Sequence, residues 1–577
     1  MTLNRLVRNA LTLLLLAVPC LLLLPRLKAP IALPPAAMEQ VLVSRYTAAN
    51  NRLGTPFLRP LDASRLSAYG DGALPDMRHG ILYTGLAAVS MKALKETRGG
   101  QGQRAATLLG ILLLLVSSLV TLWLARRWFP QRDGRRAALL FVWSGGAILA
   151  TVLPGPGLLL ALLGALLYAT LVPLDVRMSS KRAPLSLAII TGVLWGLLFL
   201  TIYSALLLLP LLFWHIIRIT RRDVRAVLAF GIAASIVAAP QFLRAYKFAH
   251  NPLFHSRGLE LTMRTESYPG TVLYHATSLP ATLTSYLSRG GHVEVAARTG
   301  QTLMELIPRS VATLGLALLL FLTSSLIRFT DDRLNTLRRL LLLALPLHLA
   351  ALSLFFPAEE CAEVLLLYAP AVAVLGAGFL ETVVHARRLP RLHSRGILLL
   401  WTFGCCLSGI AQLLALRAAP APPRLYSFLG ASGQYLERIQ TQGDGVLAAD
   451  DALTMAYYAN VPVTLLPTSA TDFREMERQL HKEIVGFGIT PSLRWDRPEN
   501  AAIQPWAKTY RRVIGLFSLS ELLPTTESNA LRERISYPQE LLPAIQKFQV
   551  TPIKEPQFGN DFSAFFWDLD YVKSQPR

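Results

Sequence analysis

Between Asp71 and Gly80 the chain reads DGALPDMRHG, so two carboxylates, a guanidinium and an imidazole stand within nine positions. A carboxylate can take a proton from an attacking hydroxyl, and a guanidinium or imidazolium can hold an anion as it leaves. Asp71 and Asp76 are therefore candidate bases, and Arg78 and His79 candidate contacts to phosphate or substrate. The same residues also have a structural use. Loop carboxylates pair with neighbouring arginines, and His79, just ahead of an apolar run, can cap a helix.

Further cations follow in RAYKFAHNPLFHSRGLELTMRTESYPG, where Arg244, Lys247 and Arg264 are the candidates. Arg244 and Lys247 flank a helix end, a place where snorkelling to a membrane interface explains them equally well. The acids of FFPAEECAEVLLLYAP, Glu359, Glu360 and Glu363, have no histidine near them in sequence and read as a solvated turn. No metal ligand set is predicted, no cofactor is implied, and no motif supports a divalent cation. P-loop, G-x-S-x-G, H-E-x-x-H and C-x-x-C patterns are absent from the sequence.

The elements that would position these residues are membrane helices. Of 577 residues, 53% are apolar and only 16% charged, a balance suited to a polytopic membrane protein. The formal net charge of +21 does not point to nucleic acid. From Arg424 onward there are 16 basic and 18 acidic residues, so the positive excess lies in short loops between apolar runs. Cys20, Cys361, Cys405 and Cys406 imply no disulfide framework. Lys92 and His348 are the main ionisable residues within apolar runs, too few to favour a carrier or channel.

Apolar runs fall at 9–25, 80–95, 105–125, 136–154, 157–173, 185–201, 203–217, 223–243, 310–327, 339–357, 364–383 and 396–416. The run 185–217 is divided at residues 201–204. Basic clusters at 125–136, 176–182, 218–225, 328–339 and 385–395 mark the cytoplasmic side. A cytoplasmic N-terminus with an outside C-terminal segment requires an odd number of crossings, eleven or thirteen, against twelve runs. The conflict lies between residues 80 and 136. There KETRGGQGQR (95–104) is inside by charge and outside by counting back.

The predicted organisation is a retained first transmembrane helix (1–25), a first extracytoplasmic loop (26–79) and a transmembrane bundle (80–243). A second extracytoplasmic loop (244–309), a second bundle (310–416) and an extracytoplasmic α/β domain (424–577) complete it. That domain opens with a strand–helix–strand pattern in GVLAADDALTMAYYANVPVTLLP. Tyr203 is expected as an interfacial anchor.

This layout resembles the GT-C membrane glycosyltransferases, a class that includes protein O-mannosyltransferases and the aminoarabinose transferases of lipid A. RHGILYTGLAAVSMKAL (78–94) stands where that class has a motif like R-H-P-P-L-Y leading into its second helix. TGVLWGLLFLTIYSALLLLPLLFW (191–214) is similar to its paired helices, AAPQFLRAYKFAHNPLF (238–254) to its helix exit, and residues 443–467 to the opening of its C-terminal domain. The resemblance implies a cleft at the membrane surface where a polyprenyl-phosphate sugar donor meets its acceptor. A carboxylate would act as base there, Asp76 or Asp71 in this chain, and cations would hold phosphate: Arg78, His79, Arg244, Lys247 and Arg264.

The chain also departs from the class. Ser44 and Arg45 precede Tyr46 where the class has an acidic pair, and Gly155 falls where a second acid is usual. The late stretch 355–370 is acidic where an arginine precedes a tyrosine, and Gly80 and Ile81 replace two prolines. Two readings therefore follow. One is a glycosyltransferase of the bacterial inner membrane, with membrane lipids and a lipid-linked donor as partners and no nucleic acid. The other is a catalytically degenerate relative serving as a structural or assembly subunit beside partner subunits.

Overall fold

Leucine- and alanine-rich runs satisfy their backbone hydrogen bonds internally, which lipid requires of any crossing segment. Among the described residues five helices are long and apolar enough to cross a bilayer: Gln103–Trp128, Val224–Ala249, Leu334–Ser353, Ala369–Ala386 and His393–Ala418. Two bent helix pairs, Arg135–Val142 with Gly145–Val152 and Leu283–Leu314 with Leu316–Leu326, raise the number to seven. The chain is a mostly helical, multi-pass membrane protein. The computed structural model describes residues 3–130, 134–176, 185–219, 223–279, 282–386, 391–419, 445–449, 451–459, 461–466, 470–489, 548–553 and 563–568. Much of the predicted 424–577 domain and parts of the basic loops lie outside the described residues.

The first loop folds around a helix, Pro35–Asn50, that starts with proline in its first turn and ends where Asn51 takes a left-handed φ of 52°. Beside it runs the helix Ile81–Ala93. At 13 residues and 1.5 Å per residue it is about 20 Å long, short of the roughly 30 Å hydrocarbon core. The expectation of a crossing at 80–95 therefore meets a different arrangement. Gln40 donates to Thr84 Oγ1 at 3.0 Å, and Lys92 Nζ donates to Asn51 Oδ1 at 2.9 Å, so the two helices run parallel and both ends of Ile81–Ala93 stay beside the first loop.

Four segments distant in sequence meet here. Among the described residues, eight short strands form two sheets: β1 (Gly54–Thr55) pairs with β3 (Leu74–Pro75), and a six-stranded sheet has the order β2-β5-β4-β6-β8-β7. Here β2 is Phe57–Leu58, β4 Val446–Ala449, β5 Val463–Leu465, β6 Ile484–Ile489, β7 Phe548–Ile553 and β8 Ser563–Asp568. The edge strand β2 comes from the first loop and lies parallel to β5, Phe57 opposite Val463 and Leu58 opposite Thr464. A helix, Ala452–Ala459, connects β4 to β5, the expected strand–helix–strand. The segment 95–104 joins this assembly, since Gly100 N–H donates to the Tyr457 carbonyl at 2.9 Å. The second loop joins it too. His275 Nδ1 meets the Leu466 carbonyl at 2.8 Å, and the Thr277 hydroxyl donates to Asp472 at 2.7 Å.

Below the loops, Leu185–Thr201 and Val224–Ala249 pack as parallel neighbours. Gly192 faces Phe230 and Ala233, while Gly196 faces Val237, and a Cβ on either glycine would overlap the opposite helix. Such small-residue contacts let helices approach closely in lipid. The apolar run breaks at Ile202, which is extended, before a 3₁₀ turn at Tyr203–Leu208 and the helix Leu209–Ile219. Gly80 packs against the Leu200 and Thr201 carbonyls, where no side chain fits. That contact fixes His79 over the end of Leu185–Thr201.

Candidate functional site

The motif singled out in the sequence forms a tight turn. Asp76 Oδ1 accepts from the Arg78 N–H at 3.1 Å and meets His79 Nδ1 at 3.1 Å; Asp76 Oδ2 accepts from the His79 N–H at 3.2 Å. Burial works to raise this carboxyl, but His79 and Arg244 outweigh it and hold it below its usual range. Asp76 thus shapes the loop that aims Arg78 and His79. Asp71 stands apart and half-exposed, accepting from the Tyr46 hydroxyl at 2.6 Å and pairing with Arg52 at 2.6 Å.

Arg78 enters a buried ionic cluster built from three parts of the chain. It pairs with Glu260 of the second loop at 2.8 Å, lies 3.7 Å from Glu39 and 4.0 Å from Glu360, and donates to the Tyr274 hydroxyl at 2.9 Å. Arg59 pairs with Glu39 at 2.7 Å and lies 3.9 Å from Asp62. Arg257 bonds Glu360, while Arg264 contacts Glu260 at 3.4 Å and donates to the Phe355 carbonyl at 2.7 Å. Arg298 clamps the turn that carries Glu260, donating to the carbonyls of Glu260 at 2.8 Å and Met263 at 2.6 Å.

Of the sequence candidates, Arg78 and Arg264 share this cluster. Arg244 donates to the Leu53 carbonyl at 3.1 Å beside it. Lys247 is exposed, over the Phe248 ring, and belongs to none of it. The sequence reading did not assign Glu39, Arg59, Asp62, His255, Arg257, Glu260 or Glu360 to the site. One signal was available: Glu39 is the sole acid between residues 29 and 51.

The acidic stretch near residue 360 is not uniformly solvated. Glu359 is exposed, beside Arg309 at 3.1 Å, but Glu360 belongs to the cluster. Glu363 is inserted beside Gly155 and accepts from the Gly157 N–H at 3.0 Å. Burial pushes its carboxyl up to about 7, the Gly157 bond opposing. The departures at Ser44 and Arg45 are structural: Ser44 bonds back to the Gln40 carbonyl at 2.8 Å, and Arg45 donates to the Tyr457 carbonyl at 2.5 Å.

Electrostatics separates the carboxyls. Burial opposes ionisation of Glu39 and Glu260, yet the arginines win. Arg59 and Arg78 hold Glu39 well below the usual range, and Arg78, Arg257 and Arg264 hold Glu260 at about 2. For Asp62 burial dominates and pushes it up to about 6 despite Arg59 and Arg78. Burial, then Arg257 and Arg78, push His255 down to about 3, so it is neutral at pH 7. Several buried polar atoms have no hydrogen-bond partner, among them Glu39 Oε1, Asp62 Oδ1, Arg78 Nε, Arg257 Nε and His255 Nε2. Native interiors leave few such atoms unless a ligand or water meets them. Among the described residues, no three His, Cys, Asp or Glu side chains converge to hold a metal ion.

A multi-pass helical bundle with two long loops and a mixed sheet gathered over a buried Arg–carboxylate cluster defines the class of architecture. The archaeal oligosaccharyltransferase AglB from Archaeoglobus fulgidus, in complex with an inhibitory peptide and a dolichol-phosphate, matches 99% of this chain and 75% of its own at a TM-score of 0.51 and 11% identity. The Archaeoglobus fulgidus oligosaccharyltransferase in complex with zinc and sulfate matches 82% and 68% at 0.50 and 12% identity. ArnT from Cupriavidus metallidurans in the apo state matches 99% and 100% at 0.49 and 13% identity. No family model matches the chain, and no curated protein does. At these identities the likeness speaks to the fold, which is GT-C-like.

Proposed function

We propose that the chain is a GT-C-type glycosyltransferase that moves a sugar from a polyprenyl-phosphate donor to a lipid, glycan or protein acceptor at the outer face of a bacterial inner membrane. The observation that carries this reading is the unpaired, buried Oδ1 of Asp62, whose carboxyl lies 3.9 Å from Arg59 and within the field of Arg78. A base works best when its pKa lies near the working pH. Asp62, raised to about 6, suits that task better than Asp76, whose oxygens serve its own turn, or Asp71, engaged by Tyr46 and Arg52. The acceptor hydroxyl would attack the anomeric carbon and give its proton to Asp62. The sugar–phosphate C–O bond would break, and the phosphate would leave with the electron pair, held by Arg78 and Arg257.

The same assembly supports the proposed orientation. Placing 80–95 beside the first loop rather than across the bilayer removes the parity conflict and supports a reading with eleven crossings, more than the five to seven helices that meet the length criterion. A cytoplasmic N-terminus then puts the loops, residues 95–104 and the C-terminal α/β domain together on the extracytoplasmic side.

The test is transfer by the full-length protein in nanodiscs from undecaprenyl phosphate bearing a single hexose, read as release of undecaprenyl phosphate. Asp62→Asn should lower the rate at least about a hundredfold, as loss of a general base does. A wild-type protein that neither binds nor turns over the donor, and that purifies from native membrane in fixed stoichiometry with other subunits, would establish the second reading, a catalytically degenerate GT-C-fold subunit. The pairing of Arg59, Arg78, Arg257 and Arg264 with carboxylates favours that alternative.

A further inference from the structure

We propose that the break at the loop end of the parallel helices Leu185–Thr201 and Val224–Ala249 binds a neutral, hydroxyl-rich ring, the sugar of the lipid-linked donor. This rests on the glycosyltransferase reading and deepens it. Gln241 is 1% exposed, yet neither its amide oxygen nor its amide nitrogen has a hydrogen-bond partner. One turn on, Arg244 uses Nη2 on the Leu53 carbonyl and leaves Nη1 buried and unpaired. The Tyr203 hydroxyl and His255 Nε2 are also buried without partners.

These four side chains share one level of the fold. Gly192 faces Phe230 and Ala233, and Gly196 faces Val237, so the register brings the end of Leu185–Thr201 beside Gln241. The Phe199 ring stacks on Phe242 at 5.1 Å and meets Tyr203 edge-on at 5.5 Å. The Tyr203 ring lies 3.8 Å from that of His255, and the charges of Arg244 and Asp76 both reach Tyr203. Tyr203 is thus half-buried, with its hydroxyl enclosed on the side that faces His255.

The unpaired atoms specify the ligand. His255 Nδ1 accepts from the Arg257 N–H at 3.2 Å, so in the neutral ring Nε2 carries the proton and donates. Arg244 Nη1 and Gln241 Nε2 donate, Gln241 Oε1 accepts, and the Tyr203 hydroxyl does either. Neighbouring sugar hydroxyls, each donor and acceptor, answer such a mixed set. A prenyl chain would leave every atom unsatisfied, at the full cost of burying unpaired polar groups. A phosphate would leave Gln241 Oε1 unsatisfied, and the nearby Asp76 carboxylate, which shares the field of Arg244, would repel it. The phosphate belongs with Arg78 and Arg257, which leaves this niche for the ring attached to it.

The test measures binding of undecaprenyl phosphate, bare or bearing one hexose, to the full-length protein in nanodiscs. Gln241→Met keeps the side-chain length and removes both polar atoms; Tyr203→Phe removes one hydroxyl. Each should weaken binding of the hexosylated lipid about tenfold, the scale of one lost hydrogen-bonding group. Affinity for the bare lipid should stay unchanged, and the melting temperature unchanged or higher. Equal losses for both lipids, no loss for either, or a lower melting temperature for Gln241→Met would overturn the subsite. A wild-type protein that binds neither lipid would remove the donor reading and the subsite with it. Normal wild-type binding without a selective loss removes the subsite alone.

Discussion

Arg59 and Glu39 meet at 2.7 Å with their side chains only 7% and 6% exposed. A pair so enclosed is expensive to break from one side, because the surviving charge stays buried without its partner. Glu39→Gln should therefore destabilise the protein by about 3–5 kcal/mol, read as a lower melting temperature in detergent. The paired replacement Glu39→Met with Arg59→Met should cost less than Glu39→Gln alone. If the double variant melts as low as the sum of two independent losses, the two residues do not act as a pair.

Opposite pH dependences are built into the carboxyls. Glu260 is held at about 2 against an ordinary 4.5, so its stabilising contribution is complete above about pH 4.5 and disappears as pH falls towards 2. Glu363, pushed up to about 7, behaves in reverse. Its contribution is complete below about pH 4.5 and is lost as pH rises through 7. Glu363→Gln should flatten the fall in melting temperature between pH 5 and 8 while leaving the acid limb below pH 4 in place. A wild-type melting curve already flat across pH 5–8 would contradict the buried, protonated carboxyl.

Hydropathy made the helical bundle legible, because lipid leaves its mark on every crossing segment. The turn DMRHG was legible as well, since Asp76, Arg78 and His79 are neighbours in both sequence and space. The partners of Arg78 were not. Glu39 and Glu260 are lone acids in their local sequence, Glu360 is one of an acidic stretch, and loops distant in sequence bring the three to Arg78. An acid's local sequence does not say whether water or an arginine from another segment will face it. The helix Ile81–Ala93 misled for a related reason: its apolar length answers to packing against Pro35–Asn50 rather than to bilayer thickness.

Arg45 ties the first loop to the sheet segment. It is fully buried, donates to the Tyr457 carbonyl at 2.5 Å and the Gln101 carbonyl at 3.2 Å, and lies 4.8 Å from the centre of the Tyr457 ring. Arg45→Met keeps the packing volume but strips both carbonyls of their donor, a loss of about 2–3 kcal/mol for charge-assisted bonds. Limited proteolysis should then cut between residues 445 and 489 faster, with the bundle still folded by circular dichroism. Unchanged cleavage would mean that β2 pairing with β5 holds the segment unaided.

Lys95 is exposed in the segment that reaches Tyr457 through Gly100, and Arg474 is exposed on the helix Ala470–Leu480 that follows β5. Arg328, 80% exposed, lies in a basic cluster between apolar helices. Lys95→Cys and Arg474→Cys should both react with a membrane-impermeant maleimide in intact spheroplasts. Arg328→Cys should react only after permeabilisation. The wild-type chain serves as the blank, because Cys20, Cys361 and Cys405 are buried and Cys406 is partly so. The charge of KETRGGQGQR argues for the cytoplasmic side, whereas its hydrogen bond to Tyr457 binds it to the sheet. A hydrogen-bonded contact cannot span a bilayer, so Lys95 and Arg474 must label together whichever side they face. Labelling of Lys95→Cys in step with Arg328→Cys would break the assembly of loops and sheet on which the proposed site depends.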